Sequence, residues 1–259
     1  MSFNEVYITN TSSFFPNDAV SNDEMEEYLG YINDSPSRSK AIVLRNNGIK
    51  RRFYALKKDG TSTHTNAQMT SLAVNALFKN TPAGIKSIEL LSCGTSTPDQ
   101  LMPSHGVMVH GWLPDANPIE VVSPAGVCCA GMHAFKYAYL ATKTGDVQRC
   151  VATGSERFSI SLVSAHFEDE AKRLKQLVDD PYIGFEKEFL RWMLSDGAAA
   201  FLISNKKNET GISLRVEWME GFSYANELEP CMYMGGEKLK DGTLKSYQDY
   251  TNEEIMSQS

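Results

Sequence analysis

Val121-Val122-Ser123-Pro124-Ala125-Gly126-Val127-Cys128-Cys129-Ala130-Gly131-Met132 is the stretch that decides the fold. It opens β-branched, passes through Pro, Ala and Gly, and enters an Ala-rich apolar run. That order predicts a strand, a small-residue turn and a helix with cysteine at its start. Helix N-termini carry unpaired N–H groups and a partial positive charge. Both favour a thiolate over a thiol, and the same N–H groups can hold an oxyanion forming on a bound thioester. A cysteine in this place is a candidate nucleophile, and the small Ala130 and Gly131 are expected to let a long substrate approach the sulfur. The bland alternative is an inert, buried thiol beside a tight turn.

Working outward, strands and helices alternate. Val6–Thr9 reads as a strand closed by a turn at Phe14–Asn17, and Ser21 with Glu24 reads as a helix start. Thr65 to Lys79 has helical spacing, with Ala67, Leu72, Ala73, Ala76 and Leu77 on its apolar face. Ile85–Cys93 is a predicted strand, followed by a Gly/Thr/Ser/Pro loop and a short helix from Pro103 to Trp112. Ile119–Ser123 is a strand, and Gly126 to Thr142 is a long helix with Gly145 as its stop. That helix is apolar nearly all round, which predicts burial between layers. Cys150–Gly154, Ala198–Ile203 and Ile212–Trp218 are further predicted strands, with a charged helical insertion from Glu168 to Leu177. The pattern fades from Glu227: Met232 to Gly236 reads as loop, 238–259 is polar, and Asn252 is a candidate cap for a helix scarcely begun. Alternating strands and helices imply an α/β layered fold with a mostly buried sheet.

Composition narrows the function classes. The 259 residues are 42% hydrophobic, 22% charged and 10% aromatic, enough to bury a core and too apolar for a disordered chain. A net charge of −7 argues against a nucleic-acid partner, which needs a basic face. No apolar run approaches the ~18 residues of a membrane span, so no membrane insertion is expected. The start, MSFNEVYITN, lacks the basic and apolar regions of a secretory signal, and the expected location is cytoplasmic. Five cysteines without a C-x-x-C pair suggest free thiols, with neither a disulfide framework nor a metal site. One strongly basic stretch holds Arg38, Lys40, Arg45, Lys50, Arg51, Arg52 and Lys57; it is either a solvated face or a docking surface for a phosphate-bearing or acidic partner.

Cys129-Ala130-Gly131-Met132, after an apolar strand and before an Ala-rich helix, resembles the active-site motif of 3-oxoacyl-[acyl-carrier-protein] synthase III, a condensing enzyme of the thiolase superfamily. Four more segments resemble that family in the same order. They are Asn47-Gly48-Ile49-Lys50-Arg51-Arg52, Thr95-Ser96-Thr97-Pro98-Asp99 with Met102-Pro103-Ser104, Thr153-Gly154-Ser155-Glu156, and Ser195-Asp196-Gly197-Ala198-Ala199-Ala200. In the last, Ala199 stands where a second glycine is common. The segments Arg45–Tyr54, Thr95–Gly111 and Ser123–Tyr139 also resemble a branch that joins two acyl chains into dialkylresorcinol-type, flexirubin-related lipids.

The resemblance implies a thiolase-like layered αβαβα fold, with residues 1–205 as the N-terminal half and 206–259 as a linking strand and the opening of a C-terminal half that is otherwise missing. It assigns the nucleophile to Cys129, directly before Ala-Gly, and leaves Cys128 as a packing residue. Cys129 would take an acyl group from a CoA or carrier-protein thioester, and a malonyl- or 3-oxoacyl-carrier thioester would then supply the carbanion for a new carbon–carbon bond. The alternatives are a non-catalytic truncated or split subunit and a simple cysteine acyltransferase that uses Cys129 without condensation. No cofactor is implied beyond these thioesters. The family's assisting His and Asn belong to the second half; none of His64, His105, His110, His133 and His166 stands in the family's context. His133, one turn after Cys129, is expected to point into the packed layer, and His105 and His110 to pack on the short helix. The family's housekeeping members carry a CoA-stacking Trp before the Gly-Ile segment; Ile42 to Arg45 has none, and Arg45 is one residue out of register. Carrier protein therefore stands beside CoA as the donor. Met102 occupies the position of a bulky residue that reaches across a homodimer to limit the partner's acyl pocket, or else it fills a gap in the core.

Overall fold

The computed structural model describes residues 3–37, 39–79, 84–167, 189–230, 232, 234, 236–239 and 241–250. Arg38, the charged insertion at 168–177, Cys231 and Asn252 lie outside the described residues. Chain order runs β1 (Tyr7–Phe14), β2 (Val20–Ser21), α1 (Met25–Leu29), α2 (Lys40–Asn47), β3 (Arg51–Arg52), α3 (Asn66–Phe78), β4 (Leu90–Gly94) and α4 (His105–Gly111). It continues through β5 (Glu120–Val122), α5 (Ala130–Thr144), β6 (Arg149–Glu156), β7 (Gly197–Ser204), β8 (Leu214–Arg215), β9 (Gly236–Lys238) and β10 (Leu244–Ser246).

Six strands form one sheet in the order β5-β4-β6-β7-β1-β8. β4 lies parallel to both β5 and β6, and β7 then runs antiparallel to β6 and β1. From β4 the chain steps outward to β5 through α4, then returns past β4 to β6 through α5. Steps in opposite directions put their helices on opposite faces when both crossovers have the right-handed sense usual for parallel strands. The side chains agree. Leu91, Cys93, Val151, Ala198, Ala200 and Leu202 meet α3 and α4 through Ala73, Val74, Leu77 and Val109. The alternate residues Leu90, Cys150, Ala152 and Ile203 meet α5 through Phe135, Ala138 and Tyr139. The period of two along each strand thus feeds two cores, one on each face. The result is three layers, helix on sheet on helix. A third core of Val20, Met25, Leu29, Val43, Tyr54, Leu56, Leu162 and Trp192 gathers α1, α2 and the β2–β3 ribbon beside them.

Several boundaries differ from the sequence expectation. Ile85–Ser87 is a single 3-10 turn, so β4 starts only at Leu90. Ser21 lies in β2, and α1 begins after Glu24, whose carboxylate accepts from the Ser21 backbone at 3.0 Å. The strand foreseen at Ile212–Trp218 shrinks to β8, which pairs with β1. α3 is capped by Thr65 in a reciprocal box with Gln68, but Leu72 faces outward. α5 is buried along one stripe only. Ala134, Phe135, Ala138 and Tyr139 meet the sheet, whereas Met132, Tyr137 and Leu140 are exposed because nothing among the described residues covers that side. The fading tail contains a hairpin: β9 pairs with β10 around Gly242, which holds φ +84°.

Candidate active site

Three strand ends converge at the carboxyl edge of the parallel strands, where open α/β sheets bind their ligands. The loop after β4 carries Thr95 to Ser104, the turn after β5 carries Ser123 to Cys129, and β6 ends at Glu156. Thr95 bridges Ala125 in parallel fashion. Ser123 Oγ accepts from the Gly106 backbone at 2.8 Å and donates to Ser104 Oγ at 3.0 Å, fixing the start of α4 to the turn.

Cys129 is the N-cap residue of α5 and is exposed. The turn before it is not yet helical: Gly126 takes φ +149°, a backbone region that suits glycine. The helix therefore starts at Ala130, four residues later than its composition suggested. Cys129 makes no side-chain capping bond, so its sulfur is not engaged in holding the helix. Cys128 is exposed beside it, against the expectation of a packing residue.

Gly94 and Gly131 are small for a packing reason. A Cβ on Gly94 would sit 2.1 Å from the Ala130 carbonyl oxygen and 2.6 Å from the Gly131 nitrogen, both main-chain atoms. A Cβ on Gly131 would lie 3.2 Å from the Gly154 Cα. The first turn of α5 thus rests directly on the ends of β4 and β6, backbone against backbone. Ala130 is buried, so it is not part of an open path to sulfur.

The other sequence segments bind each other. Glu156 accepts from the Ser96 N–H at 2.9 Å, Ser96 Oγ at 2.8 Å and Thr97 Oγ1 at 2.7 Å. Asp99 accepts from the Asn66 and Ala67 N–H groups at 2.8 and 2.9 Å, capping α3, and pairs with Arg157 at 3.3 Å. Asp196, directly before β7, accepts from Ser159 and from the Ala55 N–H, linking the start of β7 to the segment after β3. Burial pushes the Asp196 carboxyl up, and these hydrogen bonds oppose that shift. The segments that gave the resemblance are therefore the joints of one scaffold.

The remaining predicted residues are dispersed. Met102 is 86% exposed, which removes it from the core; it sits in the β4–α4 loop tied to the Cys129 turn. Arg45 is exposed in the last turn of α2, in the separate third core. The basic stretch is not one face: Arg52 is buried with its guanidinium on Asn22 and the Trp192 carbonyl, and Lys40 pairs with Glu26 at 2.8 Å. Arg45, Lys50, Arg51 and Lys57 stay exposed. His133 is exposed rather than packed, because it falls on the uncovered side of α5. His105 is buried, with Nε2 3.2 Å from Ser155 Oγ and 3.4 Å from Thr70 Oγ1, and burial lowers its pKa to about 4. Burial raises the Cys93 and Cys150 thiols to about 12. Among the described residues no cluster of His, Cys, Asp or Glu could hold a metal ion, and no helix is long and apolar enough to cross a membrane.

Comparison with known proteins agrees with this geometry. No protein-family model matches the chain. It is 26% identical over 152 residues to the β-ketoacyl-[acyl-carrier-protein] synthase III of Neisseria gonorrhoeae, spanning 59% of this chain and 44% of that protein. To the enzyme of the same name from Neisseria meningitidis it is 29% identical over 154 residues, again spanning 44% of that protein. The chain thus spans less than half the length of the curated relatives it matches. Among solved structures, cerulenin-bound OleA of Xanthomonas campestris superposes with a TM-score of 0.57 at 19% identity, over 79% of this chain and 58% of that one. The β-ketoacyl-[acyl-carrier-protein] synthase III of Thermus thermophilus gives 0.55 at 18%, over 78% and 52%. AbyA1, a tetronic acid condensing enzyme, gives 0.58 at 17%, over 79% and 54%. The chain shares its fold with these three structures over 78–79% of its own length, and its described residues form three layers, helix on sheet on helix.

Proposed function

Proceeding from this kinship with β-ketoacyl-[acyl-carrier-protein] synthase III, we propose that the chain carries the acyl-accepting nucleophile of a condensing enzyme, and that the nucleophile is Cys129. The observation that supports this most is the exposed thiol at the N-cap of α5, free of any capping bond. The thiolate attacks the carbonyl of an acyl-CoA or acyl-carrier-protein thioester; a new C–S bond forms, and the carrier thiol leaves with a proton. In this reading the first turn of α5, beyond the Ala130 N–H that donates to the Val127 carbonyl at 3.2 Å, supplies the N–H groups for the oxyanion that develops on that carbonyl.

The second stage joins carbons. A malonyl-type carrier thioester loses carbon dioxide, the resulting carbanion attacks the acyl-enzyme carbonyl, and the Cys129 thiolate departs. A 3-oxoacyl carrier thioester, which loses a proton to reach the carbanion, is the other candidate extender. The resemblance assigns a His and an Asn to this step from the part of the fold these residues do not supply. His105 is buried on Ser155 and Thr70, and is not offered for it. In this proposal Arg45 meets the phosphates of the donor, and Met102 shapes the acyl pocket of a second subunit. β5 is an edge strand immediately before the Cys129 turn, and pairing two copies through it forms the proposed homodimer.

Incubation with acyl-CoA and with acyl-carrier protein, read by intact mass and peptide mapping, tests the reading. An acyl adduct on Cys129 is the expected result; an unmodified Cys129 with both donors overturns it. Product masses after adding a malonyl or 3-oxoacyl carrier separate chain extension from dialkylresorcinol-type ring formation.

A further inference from the structure

We propose that Glu156 is a positioning residue that locks the β4–α4 loop and so sets how long a chain can reach Cys129. The chain-length consequence rests on the acyl-accepting role proposed above; the lock itself rests on geometry alone. Glu156 lies at the end of β6, and its carboxylate takes both the backbone and hydroxyl of Ser96 and the hydroxyl of Thr97. A charged acceptor makes hydrogen bonds that are shorter and stronger than neutral ones. Thr97 Oγ1 in turn accepts from the Arg157 N–H at 2.8 Å, so the clamp closes on both residues of the β6 end.

The loop so clamped has both ends bound to the segment that carries the nucleophile. It leaves the sheet at Thr95, which bridges Ala125, and re-enters structure at Ser104, which is hydrogen-bonded to Ser123. Between those ends it displays Leu101 and Met102, two exposed apolar side chains on a loop tied to the turn that carries Cys129. A loop free to move would accommodate chains of any length. A loop held at Ser96 and Thr97 presents a fixed apolar wall.

The test is independent of enzymatic turnover. Cys129 is alkylated with N-ethylmaleimide and N-octylmaleimide in a Cys128→Ser background, and adducts are read by peptide mapping. Hydrogen exchange at the Ser96 amide is measured on the same proteins. In Glu156→Gln we expect the Ser96 amide to exchange about tenfold faster, as loss of a charged hydrogen-bond acceptor implies. The octyl-to-ethyl rate ratio is expected to change by a similar factor, with the ethyl rate unchanged, and Glu156→Asp is expected to restore part of it. An unchanged ratio overturns the proposal, whether or not the amide loosens. Acyl-CoA labelling of the parent protein is scored separately: a shifted ratio in a protein that takes no acyl group keeps the lock and discards the acyl-accepting role.

Discussion

Cys93 and Cys129 stand on either side of one contact and have opposite surroundings, one buried and the other exposed. Cys93 ends the buried run of β4, directly before Gly94, and burial holds its thiol at about 12. Cys129 ends the turn on the far side, directly before Ala130, and is exposed. The Gly94–Ala130 approach lies between them, main chain against main chain. Place in the fold, not residue type, distinguishes the buried thiol from the exposed one.

Four changes would break or sharpen this contrast. Cys129→Ala is expected to lower acyl labelling on the order of 10³-fold or more, as loss of a nucleophile does. Because the sulfur caps nothing, stability should stay within about 0.5 kcal/mol in urea melts. Gly94→Ala strikes the contact itself. Its Cβ meets main-chain atoms that cannot rotate away, and the expected cost is about 3 kcal/mol by the same melts, with altered iodoacetamide reactivity at Cys129.

His105 extends the buried side of the contrast. Its folded pKa of about 4 lies below the ordinary 6.5, so the unfolded chain binds the proton first. The stability it contributes is full above pH 6.5 and is lost as pH falls toward 4, by up to about 3 kcal/mol. Asp196, shifted upward by burial, works with the opposite sign: its contribution is present at low pH and lost as pH rises through its folded value. A His105→Asn variant should flatten the 6.5-to-4 limb of a stability profile measured by urea titration at each pH. The smallest effect is expected from Arg45→Ala, an exposed cation whose removal should raise KM for acyl-CoA about threefold and leave carrier-protein donors less affected.

Much of this was legible in the chain. Period-two strands and period-3.6 helices gave the layers, and the strand–turn–helix around Cys129 gave the candidate nucleophile. What stayed hidden depended on distance. Gly131 reads as a courtesy to substrate until Gly154, twenty-three residues on, is found beside it. Arg52 reads as part of a basic surface until Trp192 and Asn22 close over it. The role of Glu156 required knowing that β6 lies beside β4, which local pattern cannot supply. The β9–β10 hairpin was a different kind of miss. Asp241-Gly242 is a strong turn signal, and the polar composition around it obscured two short pairing strands.

The most direct test of the central claim is peptide-mapped mass spectrometry after exposure to an acyl-CoA and an acyl-carrier protein. The expected result is one acyl group, on Cys129, with Cys128 unmodified and Cys93 and Cys150 reactive only after unfolding. An acyl group on Cys128, or none on Cys129 with either donor, would contradict it.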